Sequence, residues 1–220
     1  MAGAYAEHLN RFKFASRGRR GSNPPSLSEE EWWALGQHYG LWTPLLDWTL
    51  SPYVAAFFAY CEEAPPATRM RAIYALNRKT AVSLEEVRMY HHQVTLNQAK
   101  KQVEEDRGTR MGLLEECVAY SANSQLKFIH PMSDENHRVV NQDGLLTWAP
   151  IGMQIEDWVL QNNPGTDSKN VVLWKFLLPD RERGPCLRHL HRMNITHNTL
   201  YPDLAGASSF CNFALSLEDC

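Results

Sequence analysis

Apolar residues Tyr5, Leu9 and Phe12 recur at helical spacing and predict a short helix over residues 4–14. Gly18, Gly21, Ser22, Asn23, Pro24 and Pro25 then break the pattern. The run Ser28-Glu29-Glu30-Glu31 predicts a helix start. Ser28 can cap free backbone amides, Glu31 holds the reciprocal capping-box position, and the acids suit the positive end of the helix dipole. Trp32, Leu35 and Tyr39 are spaced for one buried face, and Gly40 is placed to end the helix. An apolar step, Leu45-Leu46, leads into Asp47-Trp48-Thr49. Ser51-Pro52 then joins a capping serine to a proline whose missing amide costs nothing at a first helical position. The helix it opens runs to about Glu62, is apolar on nearly all sides, and is expected to be buried; Pro65-Pro66 ends it.

Further along, Arg71–Leu76 reads as a strand, residues 83–107 as a polar helix, and Gln125–His130 and Leu145–Trp148 as short strands. Ile155–Leu160 reads as a helix. Asn170–Leu178, rich in Val and Leu, reads as a buried strand. Cys186–Met193 predicts a basic helix, and Asp203–Ser216 a helix whose small residues permit close packing. The alternation is irregular and carries no internal repeat. It predicts an α/β (α+β) fold, with a mixed central sheet and surrounding helices in a single domain. Residues 1–27 read as an N-terminal helix with a basic flexible linker, ahead of a main domain at 28–220.

The 220 residues include 44% hydrophobic and 21% charged side chains, enough apolar material for a core and too little charge for a disordered chain. A net charge of −3 gives no global attraction to nucleic acid. The stretch Arg11–Arg20 is a local exception, basic and free of acids; it reads first as a solvated linker and second as a phosphate or nucleic-acid contact. No window approaches the ~20 apolar residues of a membrane span. Cys61, Cys117, Cys186, Cys211 and Cys220 are odd in number, widely spaced and without a CxxC pair, so reduced thiols in a cytoplasmic protein are expected.

The densest segment runs Gln37-His38-Tyr39-Gly40, through Thr43, to Leu45-Leu46-Asp47-Trp48-Thr49, then Ser51-Pro52 and an apolar helix. It resembles the central signature of the bacterial FRG-domain family. Asn136–Leu146 looks like that family's middle block, and Leu200-Tyr201-Pro202-Asp203-Leu204-Ala205-Gly206 resembles its late element, so the resemblance covers roughly residues 28–215. The Phe-Arg-Gly motif that names the family is not visible. Its absence points to a chain that starts late or to a shorter variant, and removes an arginine suited to holding a phosphate. Pro44 stands where many relatives carry arginine, and Leu146 where they carry phenylalanine.

Gln37, His38 and Tyr39 are candidate ligand-binding residues through amide, imidazole and phenol groups; the structural alternative is that Tyr39 packs in the core and His38 bonds a carbonyl. Asp47, a carboxylate after two leucines, is either catalytic or a structural acceptor, for instance paired with Arg138. Thr49 and Ser51 are first turn and cap residues. Arg138 and Gln142 lie four apart and would share a helix face. Asp203 reads as a helix-start residue. His91-His92 and the His189/His191 pair lack matching ligands, so no metal site is expected. No GxGxxG, Walker, GxSxG or HExxH motif is present.

The resemblance implies two functional readings. One is an NAD-dependent, ADP-ribosyltransferase-like enzyme, with Asp47 and Gln142 as catalytic groups, Thr49 near the ribose, Tyr39 or Trp48 stacking nicotinamide, and Gln37, His38 and Arg138 binding ligand. The other is a non-catalytic module that recognises a small nucleotide-like ligand or a partner, for example in bacterial defence.

Overall fold

The structure is a computed structural model and describes residues 2–105, 125–130, 144–150, 152–163 and 171–218. These residues fall into two compact units. The smaller is drawn from stretches 1–8, 76–127 and 148–174, the larger from 9–75, 128–147 and 175–220. Helices dominate, with short strands between them, so the fold class is α+β.

Helix α1 spans Ala2–Ala15 and α2 spans Glu29–His38. Ser28 forms the reciprocal box with Glu31: the Glu31 amide donates to Ser28 Oγ at 3.2 Å, and the Ser28 amide donates to Glu31 Oε2 at 2.8 Å. The buried face of α2 is Trp33, Ala34, Leu35 and Gly36. It is therefore rotated from the expected Trp32–Leu35–Tyr39 stripe: Trp32 is half-buried and Tyr39 is exposed. Two adjacent tryptophans satisfy the same periodicity, and packing chose the second.

Strand β1, Leu45–Thr49, follows, then helix α3, Pro52–Cys61. Ser51 caps α3 by accepting from the Val54 amide at 3.4 Å, and Pro52 occupies its first turn. Val54, Phe57 and Tyr60, three apart, form the buried stripe of α3. They pack with Leu187 and Leu190 of α6 (Arg183–Arg192), Leu200 of α7 (His197–Leu200) and Phe213 of α8 (Leu204–Glu218). Each such side chain contributes roughly 1.5–3 kcal/mol on full burial. Burial all round α3 is not found: Tyr53 is exposed and the flanks are half-buried, because the cluster covers one side of the helix.

The carbonyls at the end of α3 have no partner within the helix. Two arginines supply donors, Arg183 from far along the chain and Arg71 from the strand that follows. Arg183 Nε donates to Tyr60 O at 2.9 Å and Glu62 O at 3.2 Å, and its Nη2 donates to Cys61 O at 3.4 Å. Arg71 Nη1 donates to Ala59 O at 3.1 Å and Nη2 to Ala64 O at 3.2 Å, while Nε pairs with Asp180 Oδ1 at 2.6 Å. Positive charge here also complements the negative end of the helix dipole.

Strand β2 (Met70–Leu76) pairs with β5 (Leu173–Pro179) in a two-stranded sheet; β1 pairs with β4 (Gly144–Trp148), which pairs with β3 (Lys127–Ile129). Bonds from Asp180 N to Arg69 O and from Asn77 N to Val172 O bracket the first sheet and set it antiparallel. Among the described residues the strands form two small sheets, where one central sheet was expected. The middle strand β4 is the buried one, with Leu145, Leu146 and Thr147 enclosed. β5 corrects the sequence expectation: Trp174, Phe176 and Leu177 are exposed, and only Val172 beside the strand is buried. A run of Val and Leu signals strand formation, but a strand with one neighbour is not an interior strand.

In the smaller unit, α4 (Arg78–Glu105) contacts α5 (Ile155–Asn162), and Ala81, Leu96, Leu126, Ile155, Trp158 and Val172 are its buried apolar residues. Among the described residues, no helix is long and apolar enough to cross a membrane.

Candidate functional site

The Gln-His-Tyr-Gly block is first a device of backbone geometry. Gly40 has φ +81° and follows α2 in the left-handed conformation, its amide donating to Gln37 O at 3.0 Å. The next amide, Leu41, reaches back to Gly36 O at 2.8 Å. This double bond pattern is a Schellman ending, and its usual apolar contact is present. A Cβ on Gly36 would meet Leu41 Cδ2 at 2.6 Å, so a larger residue there would make the Leu41 side chain shift from the helix end. The turn reverses the chain and delivers Thr43 and β1 beside Gln37.

A polar relay then ties the two segments. The Leu45 amide donates to Thr43 Oγ1 at 3.3 Å, and the Thr43 hydroxyl donates to Gln37 Oε1. With its oxygen accepting, Gln37 has its amide nitrogen left to donate, and its side chain is hydrogen-bonded to Asp47. Asp47 holds its proton more tightly than an ordinary carboxyl: crowding by surrounding atoms raises its pKa, and the Gln37 hydrogen bond only partly opposes this. Yet Asp47 keeps substantial solvent-accessible surface. Water reaching the carboxyl group screens much of the cost of crowding.

Successive side chains of a strand point to opposite faces. Asp47 therefore shares its face of β1 with Leu45 and Thr49, while Trp48 lies on the other. There the Trp48 indole donates to Thr147 Oγ1 of β4 at 2.9 Å, and Thr147 is only 1% exposed. The Thr49 hydroxyl accepts from the Ser51 amide at 3.1 Å, closing the turn into α3. His38 and Tyr39 meet edge to face at 4.7 Å, and Tyr39 is 69% exposed, so it is not a core residue. Arg138 and Gln142 lie outside the described residues, as does most of the middle block.

The structure thus brings Gln37 and Asp47 together and adds Thr43 to them. It separates Trp48 from Asp47 and engages Thr49 in a turn. The Trp48 indole lies on the face of β1 opposite the Asp47 carboxylate, and the Thr49 hydroxyl accepts from the backbone of the following turn. The same segment exposes Trp42 (88%), Leu50, Tyr53 and Tyr39. Of these, Tyr39 and Tyr53 overturn the expectation that their helices bury them, and large apolar side chains left in water this close together in sequence mark an interaction surface. The late element is structural. Asp203 Oδ1 accepts from the Gly206 amide at 2.8 Å at the start of α8, and a Cβ on Gly206 would strike Tyr201 O at 2.0 Å. Among the described residues no three His, Cys, Asp or Glu side chains converge as a metal site would require.

A family model for the FRG domain matches residues 3–68. No curated protein and no solved structure shows a significant match to the chain. The match takes in α1, the basic segment after it, α2, β1 and α3, and it contains every described candidate residue. Residues 3–68 are thus the part of the chain that is similar to the FRG domain.

Proposed function

We propose that the segment from Gln37 to Tyr53 is a recognition surface for a small nucleotide-like ligand, binding without chemical turnover. The observation that carries this reading is Asp47 itself: a carboxylate open to water, oriented by the Gln37 amide, in a segment that exposes Tyr39, Trp42 and Tyr53. A carboxyl group in a segment rich in exposed aromatic rings suits a flat, cationic or donor-rich ring, the chemistry of a nicotinamide nucleotide. The hydrogen bonds of Thr49 to the turn and of Trp48 to β4 give both residues structural roles, which favours recognition over transfer in this reading.

The transferase reading keeps one supporting observation, the weakened acidity of Asp47, which suits a carboxylate meant to share or hold a proton. Purified protein titrated with NAD, followed by thermal shift and by chromatography of free nicotinamide, separates the two. Recognition expects a saturable shift, no nicotinamide release, and at least fivefold weaker binding in Trp42→Ala and Asp47→Ala. Release that disappears in Asp47→Asn moves the conclusion to the enzyme. Absence of any shift with NAD, nicotinamide mononucleotide and ADP rejects a nucleotide-like ligand.

A further inference from the structure

Every charged side chain of α6 has the same sign. Between Arg183 and Arg192 the helix holds three arginines and two histidines, and no aspartate or glutamate. Leu187 and Leu190 enter the core, and Arg183 is engaged by the carbonyls at the end of α3. Arg188 and Arg192, one turn apart, lie on the opposite side of the helix, and both are exposed. Arg188 runs back along the helix over Gly184, where an added Cβ would lie 3.4 Å from Arg188 Nη1. His189 is also exposed, with its Nδ1 hydrogen-bonded to Pro185 O at 2.9 Å.

The acids nearest in sequence are already paired. Asp180 holds Arg71 at 2.6 Å, and Glu182 holds Arg181 at 3.3 Å. Among the described residues no carboxylate pairs with Arg188 or Arg192. The helix dipole accounts for part of this pattern, since a last turn favours positive charge. Arg192 and His191 fall in that turn, but Arg188 does not, and the dipole effect fades beyond it. Nor does the face suit a protein partner, whose interface core would be poor in charge and built on apolar anchors. The exposed residues of α6 are Pro185, Arg188, His189, His191 and Arg192, and His191 is stacked on Phe210 at 5.5 Å. Met193, just past the helix, is half-exposed and too small a surface to anchor such a partner.

We propose that the outer face of α6 docks on the phosphate backbone of duplex DNA, with Arg188 and Arg192 each taking a phosphate. The guanidinium fork matches phosphate oxygens in pairs. Four residues of helix rise about 6 Å, and a duplex carries one charge per ~1.7 Å of its axis, so roughly three phosphate charges lie within the span of the two arginines. Backbone contacts carry no sequence information, so the binding is sequence-independent. The chain as a whole carries −3, which keeps the attraction local and the affinity modest. The inference is independent of the surface around Asp47.

The test is fluorescence anisotropy of a labelled mixed-sequence DNA duplex of about 20 base pairs, titrated with the full chain between about 25 and 150 mM salt. Saturable binding is expected. The log of the binding constant should fall against the log of salt with a slope of about −2, at about −0.9 per neutralised phosphate. Arg188→Gln and Arg192→Gln should each reduce that slope by about one, and the double variant should lose saturable binding. Arg181→Gln, whose charge Glu182 already opposes, and Arg17→Gln, in the other basic stretch, should change it by less than half as much. Circular dichroism reports whether the variants fold. Arg188→Ala and Arg192→Ala, favoured by alanine's helix preference, stand in for any glutamine variant that does not. The proposal is overturned by absence of saturable binding at the lowest salt, by a slope that neither α6 variant moves, or by an equal loss in Arg17→Gln. A polyglutamate peptide binding more tightly than the duplex also overturns it, and would make the face a dock for an acidic protein.

Discussion

Replacing Arg71 by methionine removes a charge from one of the most constrained places in the molecule. The Arg71 side chain is 7% exposed and the carboxylate it pairs with, Asp180, is 15% exposed. The 2.6 Å contact is accompanied by two donations to carbonyls, Ala59 O and Ala64 O, and by the Tyr60 ring 5.9 Å from the guanidinium. Methionine preserves much of the apolar stem, so the loss falls on charge and hydrogen bonding rather than on volume. Breaking a buried pair by removing one partner costs about 3–5 kcal/mol, because the other charge is left uncompensated. The two carbonyls add to this only as far as water cannot enter the vacated space, so we take 3–5 kcal/mol as the whole effect. At about 2–4 °C per kcal/mol for a chain of this size, the melting temperature should fall by roughly 6–20 °C. Urea unfolding of wild type, Arg71→Met, Asp180→Leu and the double variant measures it as a double-mutant cycle. The double variant should recover part of the loss, since it leaves no orphan charge. A single-variant cost under about 1 kcal/mol, or strict additivity of the two, would refute the reasoning.

Three other outcomes follow from the same geometry. Gly40→Ala places a Cβ at φ +81° and should cost about 1–2 kcal/mol in urea unfolding, whereas Gly3→Ala, which meets nothing within 4 Å, should be neutral or slightly stabilising. Asp47→Asn should raise the urea midpoint at neutral pH, because it removes a crowded charge and keeps a group that can accept from Gln37; a lowered midpoint would mean the carboxylate is structurally required. His197 sits among Phe57, Tyr201 and Phe213 with its Nδ1 buried and unpartnered among the described residues, and burial holds its pKa below the ordinary 6.5. The unfolded chain therefore binds this proton more readily, so stability is full above pH 6.5 and declines as pH falls from there to the folded pKa; His197→Phe should flatten that part of a stability-versus-pH curve.

Signals that act within a few residues were legible. The Ser28 box, the Ser51-Pro52 start, the Gly40 stop and the Asp203 cap each satisfy backbone groups of their own turn, so residue type and spacing suffice. What periodicity leaves open is which of two near-equal faces meets a neighbour, and so Trp33 replaced Trp32 in the buried face of α2. Burial of β5 depended on how many strands flank it, which its own composition does not encode. In the candidate site, Asp47 was legible as a costly carboxylate, and its bond to Gln37 follows from the turn between them. The separation of Asp47 from Trp48 becomes readable only when Leu45–Thr49 is taken as a strand, because alternation then assigns them opposite faces. The end of α3 was illegible: Arg183 reaches carbonyls more than a hundred residues earlier, and no local pattern marks that.

The bond from Trp48 to Thr147 has a practical consequence for anyone excising this region. A fragment ending near residue 68 would keep the family match while losing the middle strand beside β1 and the helices α6–α8 that cover Phe57. Its hydrophobic stripe would face water and its strand would offer an open edge, the conditions for aggregation. The stretch that inheritance has kept recognisable is thus shorter than the stretch that must fold together, and expression trials should take their boundaries from the second.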